Sequence, residues 1–384
     1  MTLEEFARDE TDSTILQLRA SGMSMSAVAD AVGITERNVY KRLARLKQRA
    51  AQGGVAPGHG WNNPLPDGFA LAGVSELKDA DGATKLQWFK SKADTQRQMQ
   101  LLVERIESAH EGIEPYSPTV APSATIDDLL TLLTITDFHL GMYAYEAETG
   151  DNWDVTIARN VFLDSVASMI ESSPNSGTGV LCQLGDFLHW DGILSASTPM
   201  SGHALDADTR YSKLVELAMS VMVEATRMML EKFDRVIVVS AEGNHDVSGS
   251  IWLRKHIKHI FQNDERLEVI DNDFPYYALR HGKTMLGFHH GHKRKLAQLH
   301  KLFASEPRFR AMWGATEQCY IHTGHYHSER VLEDGGAIAE QHPTLSGRDA
   351  YAARGGWVSQ RGAKVITYHK EHGEISRTTI RPDV

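Results

Sequence analysis

A chain of 384 residues is long enough for two or three domains with at least one sizeable core. Its net charge of −10 excludes a protein that coats nucleic acid over its whole surface, but allows a local basic element. No run of about 18 apolar residues is present to span a membrane. The charged start, with Glu4, Glu5, Arg8, Asp9, Glu10 and Asp12, predicts no signal peptide. Cys182 and Cys319 lie inside apolar runs and form no CxxC pair, which reads as buried thiols in a reducing cytoplasm.

Residues 1–50 read as a small all-α domain. DSTILQLRASG predicts a first helix closed by Gly22, MSAVADAVG a short second one, and Gly33 the turn. Thr35 then caps ERNVYKRLARLKQR, whose Val39, Leu43 and Leu46 recur at helical spacing. The order is that of a helix-turn-helix. The last helix concentrates basic charge, and Arg37, Asn38, Lys41, Arg42 and Arg45 are the candidate DNA contacts. The competing reading is a protein-binding three-helix module with a solvated basic face. DNA is the expected partner, and a homodimer is expected with it, because one such module binds weakly.

Residues 51–66 are rich in Gly, Pro and Asn and read as a linker. Over 67–113, two strand-like runs flank Asp81–Gly82 as a β-hairpin, and TQRQMQLLVERIESA predicts a helix. A second linker covers 114–125. From 126 to 384, strand runs alternate with helical segments such as Leu214–Phe233 and Trp252–Gln262, which argues for an α/β core.

All but two of the 19 histidines fall in that last part. Five apolar runs there end in ligand-type residues. VIVVSAEGNHD delivers Asn244, His245 and Asp246; LLTLLTITDFH delivers Asp137 and His139; GVLCQLGD delivers Asp186; MLGFHHGH delivers His289 to His292; and CYIHTGHYH delivers His325 and His327. Strand ends are where open α/β sheets keep their chemistry. Carboxylates, imidazoles and an amide collected there suit a pair of divalent transition metals, Mn²⁺, Fe or Zn²⁺. Two such ions about 3.5–4 Å apart can share a carboxylate and a water that deprotonates near neutral pH and attacks in line. Of the remaining histidines, His322 reads as a packed core residue and His256 and His259 as a solvated helix face.

DxH at Asp137–His139, GD at Gly185–Asp186, GNHD at Gly243–Asp246, HGH at His290–His292 and GHxH at Gly324–His327 resemble, in order, the motifs of the calcineurin-like metallophosphoesterases. Together with the alternation, the resemblance implies an α/β fold, a four-layer α/β/β/α sandwich with two metals at the strand ends. It implies that Asp137, His139 and His327 hold one ion, that Asp186 bridges, and that Asn244, His290 and His325 complete the second site. Mn²⁺ is the expected metal. His245 would face the phosphate, stabilising charge or protonating the leaving oxygen. Asp246 would either orient His245 or cap the following helix.

The phosphoprotein phosphatase branch follows GD with GDxxDRG, whereas this chain reads GDFLHWDG, with His189 three residues beyond Asp186. A histidine there is similar to the DNA-repair nuclease branch, where it helps position the phosphodiester; the alternatives are a hydrogen-bond partner behind the ligands or a loop residue. The insertion Asp191–Arg210 reads as a substrate-side loop closing over the site. Arg348, Tyr351, Arg354, Trp357 and Arg361 form an Arg/aromatic stretch suited to gripping phosphate and stacking a base, or else an exposed hairpin. Arg210, Arg348 and Arg354 are the candidate substrate-binding cations. The expected reaction is hydrolysis of a phosphodiester, with DNA as the substrate. The alternatives are a small nucleotide, or a DNA-binding regulator with an inactive metal site. The module order is also similar to phage-encoded metallophosphoesterases, which implies action in a bacterial host cytoplasm.

Overall fold

In the computed structural model, which describes residues 3–56, 61–62, 65–79, 81–94, 97, 100, 104 and 116–382, the chain divides into two compact units, Met1–His110 and Glu111–Val384. The first opens with helices α1 (Glu10–Ala20), α2 (Met25–Val32) and α3 (Glu36–Gln52). Each starts on a short polar side chain that accepts an otherwise unpaired amide: Asp9 from Asp12, Ser24 from Ala27, and Thr35 from Asn38. Gly33 closes α2 in the left-handed region, which an L-residue enters only at a cost. Ile15, Val28, Ala29, Val39 and Leu43 form the shared core, so α3 turns its apolar stripe inward.

Regular structure continues into the stretch read as a linker, where β1 (Val55–Ala56) pairs antiparallel with β2 (Trp61–Asn62). Strands β3 (Phe69–Lys78) and β4 (Thr84–Ala93) then form an antiparallel hairpin, with Gly82 left-handed in its turn. Most of the helix expected over 95–109 lies outside the described residues.

In the second unit, parallel strands β5 (Ile126–Ile135), β6 (Ser176–Gln183), β7 (Arg235–Ser240) and β8 (Leu267–Val269) lie side by side. Antiparallel β14 (Ala363–His369) and β15 (Gly373–Ile380) extend the β5 edge. The sheet order is β15-β14-β5-β6-β7-β8. Parallel neighbours need long crossovers, and helices α4 (Val155–Ser172), α5 (Tyr211–Lys232) and α6 (Val247–Ile260) provide them. A second sheet has the order β12-β13-β11-β10-β9, from β9 (Tyr277–His281), β10 (Thr284–Phe288), β11 (Gln318–Thr323), β12 (Arg330–Asp334) and β13 (Ala337–Gln341).

The two sheets share one core. Leu130, Leu132, Val180 and Val239 of the first pack with Leu279, Leu286, Phe288 and Tyr320 of the second. On the far face of the second sheet, Leu299 and Phe303 of α7 (Leu299–Ser305) pack on Met285, Cys319 and Ile321. Strands buried on both faces explain the continuous apolar runs in the sequence. Both cysteines are buried and unpaired. His322 is buried as expected of a core histidine. His256 is not on a solvated face: it is 4% exposed, because with Leu253, Ile257 and Ile260 it falls on the inward stripe of α6, while His259 is exposed. Among the described residues no helix is long and apolar enough to cross a membrane.

Candidate metal centre

The carboxyl ends of β5, β6, β7, β10 and β11 carry the seven candidate ligands just beyond the last strand residue. Five of them, Asp137, His139, Asp186, His325 and His327, are the non-glycine residues at positive φ among the described residues, from 49° to 76°. An L-residue pays about 1–2 kcal/mol for that backbone, and such strain gathers at functional sites. The chain turns sharply at each strand end and throws these side chains toward one point.

Two triads result. Asp137, His139 and His327 bring one ligand atom each within 4.8 Å of one another, and so do Asp186, His290 and His325. His327 Nε2 lies 3.2 Å from Asp137 Oδ1 and 3.3 Å from His139 Nε2. His290 Nε2 lies 3.0 Å from Asp186 Oδ2 and 3.1 Å from Asn244 Oδ1, which brings the amide to the second triad. The same His290 nitrogen is 4.0 Å from Asp137 Oδ1, so the triads adjoin.

The residues fit divalent ions. Asp137 Oδ1 is buried and makes no hydrogen bond of good geometry, whereas Oδ2 accepts from Thr136 Oγ1 at 2.5 Å and from the His325 amide at 2.9 Å. A buried carboxylate oxygen left without a donor is costly unless a cation meets it. The mixed N/O donor set is that of transition metals. Glycines let the loops close around it: a Cβ on Gly243 would lie 2.1 Å from Asp186 Oδ1, and one on Gly324 1.8 Å from Thr136 Oγ1.

Electrostatics match the geometry. Burial works against charge on Asp137, but His327 and His290 outweigh it and hold the carboxyl well below its ordinary range. His290 and His245 do the same for Asp186. Burial works against the proton on His290, yet Asp186 and Asp137 push its pKa up to about 9. Burial and the neighbouring His245 drive His139 well below its ordinary value, leaving a neutral ring able to donate a lone pair.

His245 borders the same cavity as the ligands, and its ring lies edge-on to His139 at 4.7 Å. Its Nδ1 is 2.7 Å from the His189 carbonyl. Only a protonated Nδ1 can donate there, so Nε2, 4.0 Å from Asp186 Oδ2, is the nitrogen left for chemistry.

His189 departs from the expectation that it touches the phosphodiester. It is 1% exposed and does not border the cavity; its Nδ1 sits 3.3 Å from His139 Nδ1 and its ring stacks on His245. Burial and His245 lower its pKa to about 3. Asp246 occupies the N-cap position of α6, its carbonyl accepting the Ser250 amide at 2.9 Å, but its side chain is used elsewhere. It stands at the start of α6 without a side-chain cap; Oδ2 accepts the Phe187 and Leu188 amides at 2.7 and 3.1 Å, and Oδ1 the Gly243 amide at 3.0 Å. It therefore pins the loop after β6 to the loop after β7. Burial and Asp186 push its pKa up to about 8.

The cavity has a volume of about 1190 Å³. Among the three candidate cations, Arg348 borders it, held by Nε donating to the Thr149 carbonyl. Arg354 is instead solvent-exposed and ion-paired with Glu148, and Arg210 stands at the start of α5, away from the cavity wall. The 191–210 segment contributes nothing to the wall either, because Asp191 is turned to the Gly249 amide and the Tyr211 hydroxyl. Sequence reading missed Thr344, whose hydroxyl donates to the Asp137 carbonyl at 2.8 Å, and Arg381, which borders the cavity; neither sits in a recognisable pattern.

In the first unit Arg37, Asn38, Lys41 and Arg45 are exposed on α3. Arg42 is not available in the same way: its guanidinium binds Asp9 and Asp12 at 2.8–3.0 Å, and Arg49 joins it on Asp12. Those two arginines fasten α3 to the start of α1.

No sequence-family profile matches the chain, and no curated protein matches it either. Solved structures do align. The phosphoesterase Yfce from E. coli is 15% identical, covering 65% of this chain and 98% of its own, with a TM-score of 0.31. An archaeal phosphodiesterase is 11% identical, covering 65% and 99%, with a TM-score of 0.33. A dimetal phosphatase from Danio rerio is 13% identical, covering 67% and 100%, with a TM-score of 0.34. Scores this low carry no argument about chemistry, which rests on the donor set and its geometry.

Proposed function

We propose that the chain is a calcineurin-like metallophosphoesterase with the α/β/β/α sandwich of that family. It uses two divalent ions, Mn²⁺ before Fe or Zn²⁺, to hydrolyse phosphodiester bonds in DNA. The observation that carries this reading is the pair of adjoining ligand triads on a cavity that His245 also borders. Asp137, His139 and His327 would hold the first ion, Asp186 would be shared between the two, and Asn244, His290 and His325 would complete the second site. When bound, the metal pair supplies a water that deprotonates near neutral pH and neutralises charge growing on the phosphate.

The protein's own part is orientation and proton handling. The His189 carbonyl accepts from Nδ1–H of His245, so in the imidazolium form the Nε2–H can donate to a phosphate oxygen or give its proton to the leaving oxygen. His189 also braces His139, and Asp246 ties the two loops that carry Asp186 and Asn244. Arg348 places a cation on the wall for the substrate's phosphate. Arg37, Asn38, Lys41 and Arg45 on α3 engage DNA, two copies of the module reading two half-sites.

A second enzyme reading is a phosphatase or phosphodiesterase acting on a small nucleotide, since the cavity, at about 1190 Å³, only slightly exceeds the roughly 300–1,000 Å³ of small-molecule sites. The test is hydrolysis with Mn²⁺ of single-stranded DNA, double-stranded DNA and bis-p-nitrophenyl phosphate, beside Asp186→Ala and His245→Ala. Cleavage of DNA that both variants lose is the expected result, with His245→Ala lowering kcat by about 10²–10⁴ while keeping its metal. Hydrolysis of the small diester alone moves the answer to the nucleotide reading, and no metal-dependent hydrolysis of any substrate removes both.

A further inference from the structure

We propose that Trp357 and Tyr351 form a stacking wall for one unpaired nucleobase beside the scissile phosphate. The inference rests on the phosphoester reading and names the kind of substrate that its site accepts. Both residues border the cavity that holds the ligand triads, and both are more than half exposed. A large aromatic ring left open to water forgoes the gain of burial, so two of them on a cavity wall invite an apolar, flat partner.

Their geometry suits a base. The rings lie 5.2 Å apart, tilted by 59°. The indole of Trp357 rests on Gly355, where a Cβ would lie 3.1 Å from the ring. One face is therefore backed by main chain and the Trp357 amide is tied to the Ala352 carbonyl, while the side chain borders the cavity.

The charge beside the rings is phosphate-seeking. Arg348 and Arg361 border the cavity, Arg361 with its guanidinium over the Trp153 ring and its Nε donating to the Leu345 carbonyl. Besides Asp186 of the ligand cluster, two carboxylates border it, but Asp151 accepts the Arg348 amide and Asp349 the Ala352 amide, so both are turned to backbone donors. Cation, metal-ligand cluster and aromatic wall thus surround one space.

Such a wall selects unpaired bases. Within a duplex both faces of a base are covered by its neighbours and its pairing edge is used, so an aromatic platform meets a free face only on a single strand, a strand end or a free nucleotide.

Binding is measured with the full chain loaded with Mn²⁺ and carrying His245→Gln to suppress turnover. The probes are a labelled thymidine tetramer and an abasic tetramer with the same number of phosphates. The expected result is about tenfold tighter binding of the thymidine tetramer, as one stacked base contributes about 1–3 kcal/mol. Trp357→Ala brings that ratio to about one, and Trp357→Phe restores most of it. Equal binding of the two tetramers, no binding of either, or a ratio unchanged in Trp357→Ala overturns the proposal. Competition by thymidine monophosphate at similar concentration assigns the subsite to small nucleotides, and its failure to compete assigns it to strands. Hydrolysis of methyl p-nitrophenyl phosphate by the unmodified, Mn²⁺-loaded protein is read separately. Its absence together with the absence of DNA cleavage removes the phosphoesterase reading, while the binding ratio still decides the base subsite.

Discussion

At the centre, His290 reports the state of the site before any metal arrives. Asp186 and Asp137 outweigh burial and push its pKa up to about 9, so the metal-free protein holds a proton there at pH 7. A folded-state pKa raised above the ordinary 6.5 stabilises the metal-free fold fully below about pH 6.5, and that contribution is lost as pH rises through about 9. A divalent ion must expel the same proton. Metal affinity should therefore rise about tenfold per pH unit between about pH 7 and 9, with one proton released per ion at this site. Calorimetry in two buffers of different ionisation enthalpy measures both quantities, and a flat affinity over that range would count against His290 as a ligand. Asp246 is the second decisive residue. Asp246→Ala leaves the Phe187, Leu188 and Gly243 amides without their acceptor. At about 1–3 kcal/mol for each buried unpaired group, the loss should reach several kcal/mol in urea denaturation of the metal-free protein. A loss below about 1 kcal/mol would mean that the loops hold without it.

Among the elements, the two sheets are joined behind the metal-holding loops by a polar chain. The Tyr368 hydroxyl on β14 meets His322 Nε2 on β11 at 3.0 Å, and His322 Nδ1 meets His342 Nε2 at 2.9 Å. His342 then faces Glu340, whose carboxylate is gripped by both arms of Arg377 from β15. Tyr368→Phe removes the hydroxyl partner of His322 and leaves a buried imidazole nitrogen unpaired. It should cost about 1–3 kcal/mol, read by urea denaturation, and a neutral result would show that His322 finds another donor. This chain also marks where sequence reading stops. The strand-end ligands were legible because metal chemistry demands particular side chains immediately after apolar runs, and the Asp81–Gly82 hairpin because its turn demands a left-handed glycine. His342 and Tyr368 carry no such demand, since their pairing depends on how two sheets face each other. Asp246 misled for a similar reason: its acceptors' partners lie 58 and 59 residues away, and only the folded loops bring them together. His256 misled because lysines on either side mask an inward helical position.

For the molecule as a whole, charge is distributed by unit rather than by total. The chain is acidic at −10, yet Arg37, Lys41, Arg45 and Lys47 stand exposed on α3 and make no ion pair among the described residues. Arg42 and Arg49, which look equivalent in sequence, are spent inside the unit on Asp9 and Asp12, thirty or more residues away along the chain. A helix's basic count therefore overstates what it can offer a phosphate backbone, and the correction has a measurable consequence. Each phosphate neutralised on duplex DNA contributes about −0.9 to the slope of log affinity against log salt. Four free cations give a slope of about −3.6 per copy, rather than the roughly −5.4 that six would give. Lys41→Ala with Arg45→Ala should flatten it by about two units per copy, whereas Arg42→Ala should chiefly destabilise the helical unit by leaving Asp12 Oδ1 without its cation, Arg49 alone remaining on Oδ2. Titrations of full-length protein with duplex DNA from about 50 to 200 mM salt measure the slopes. A slope unaffected by Lys41→Ala and Arg45→Ala would leave α3 as a protein-binding face, and the metal centre would then have to find its substrate without it.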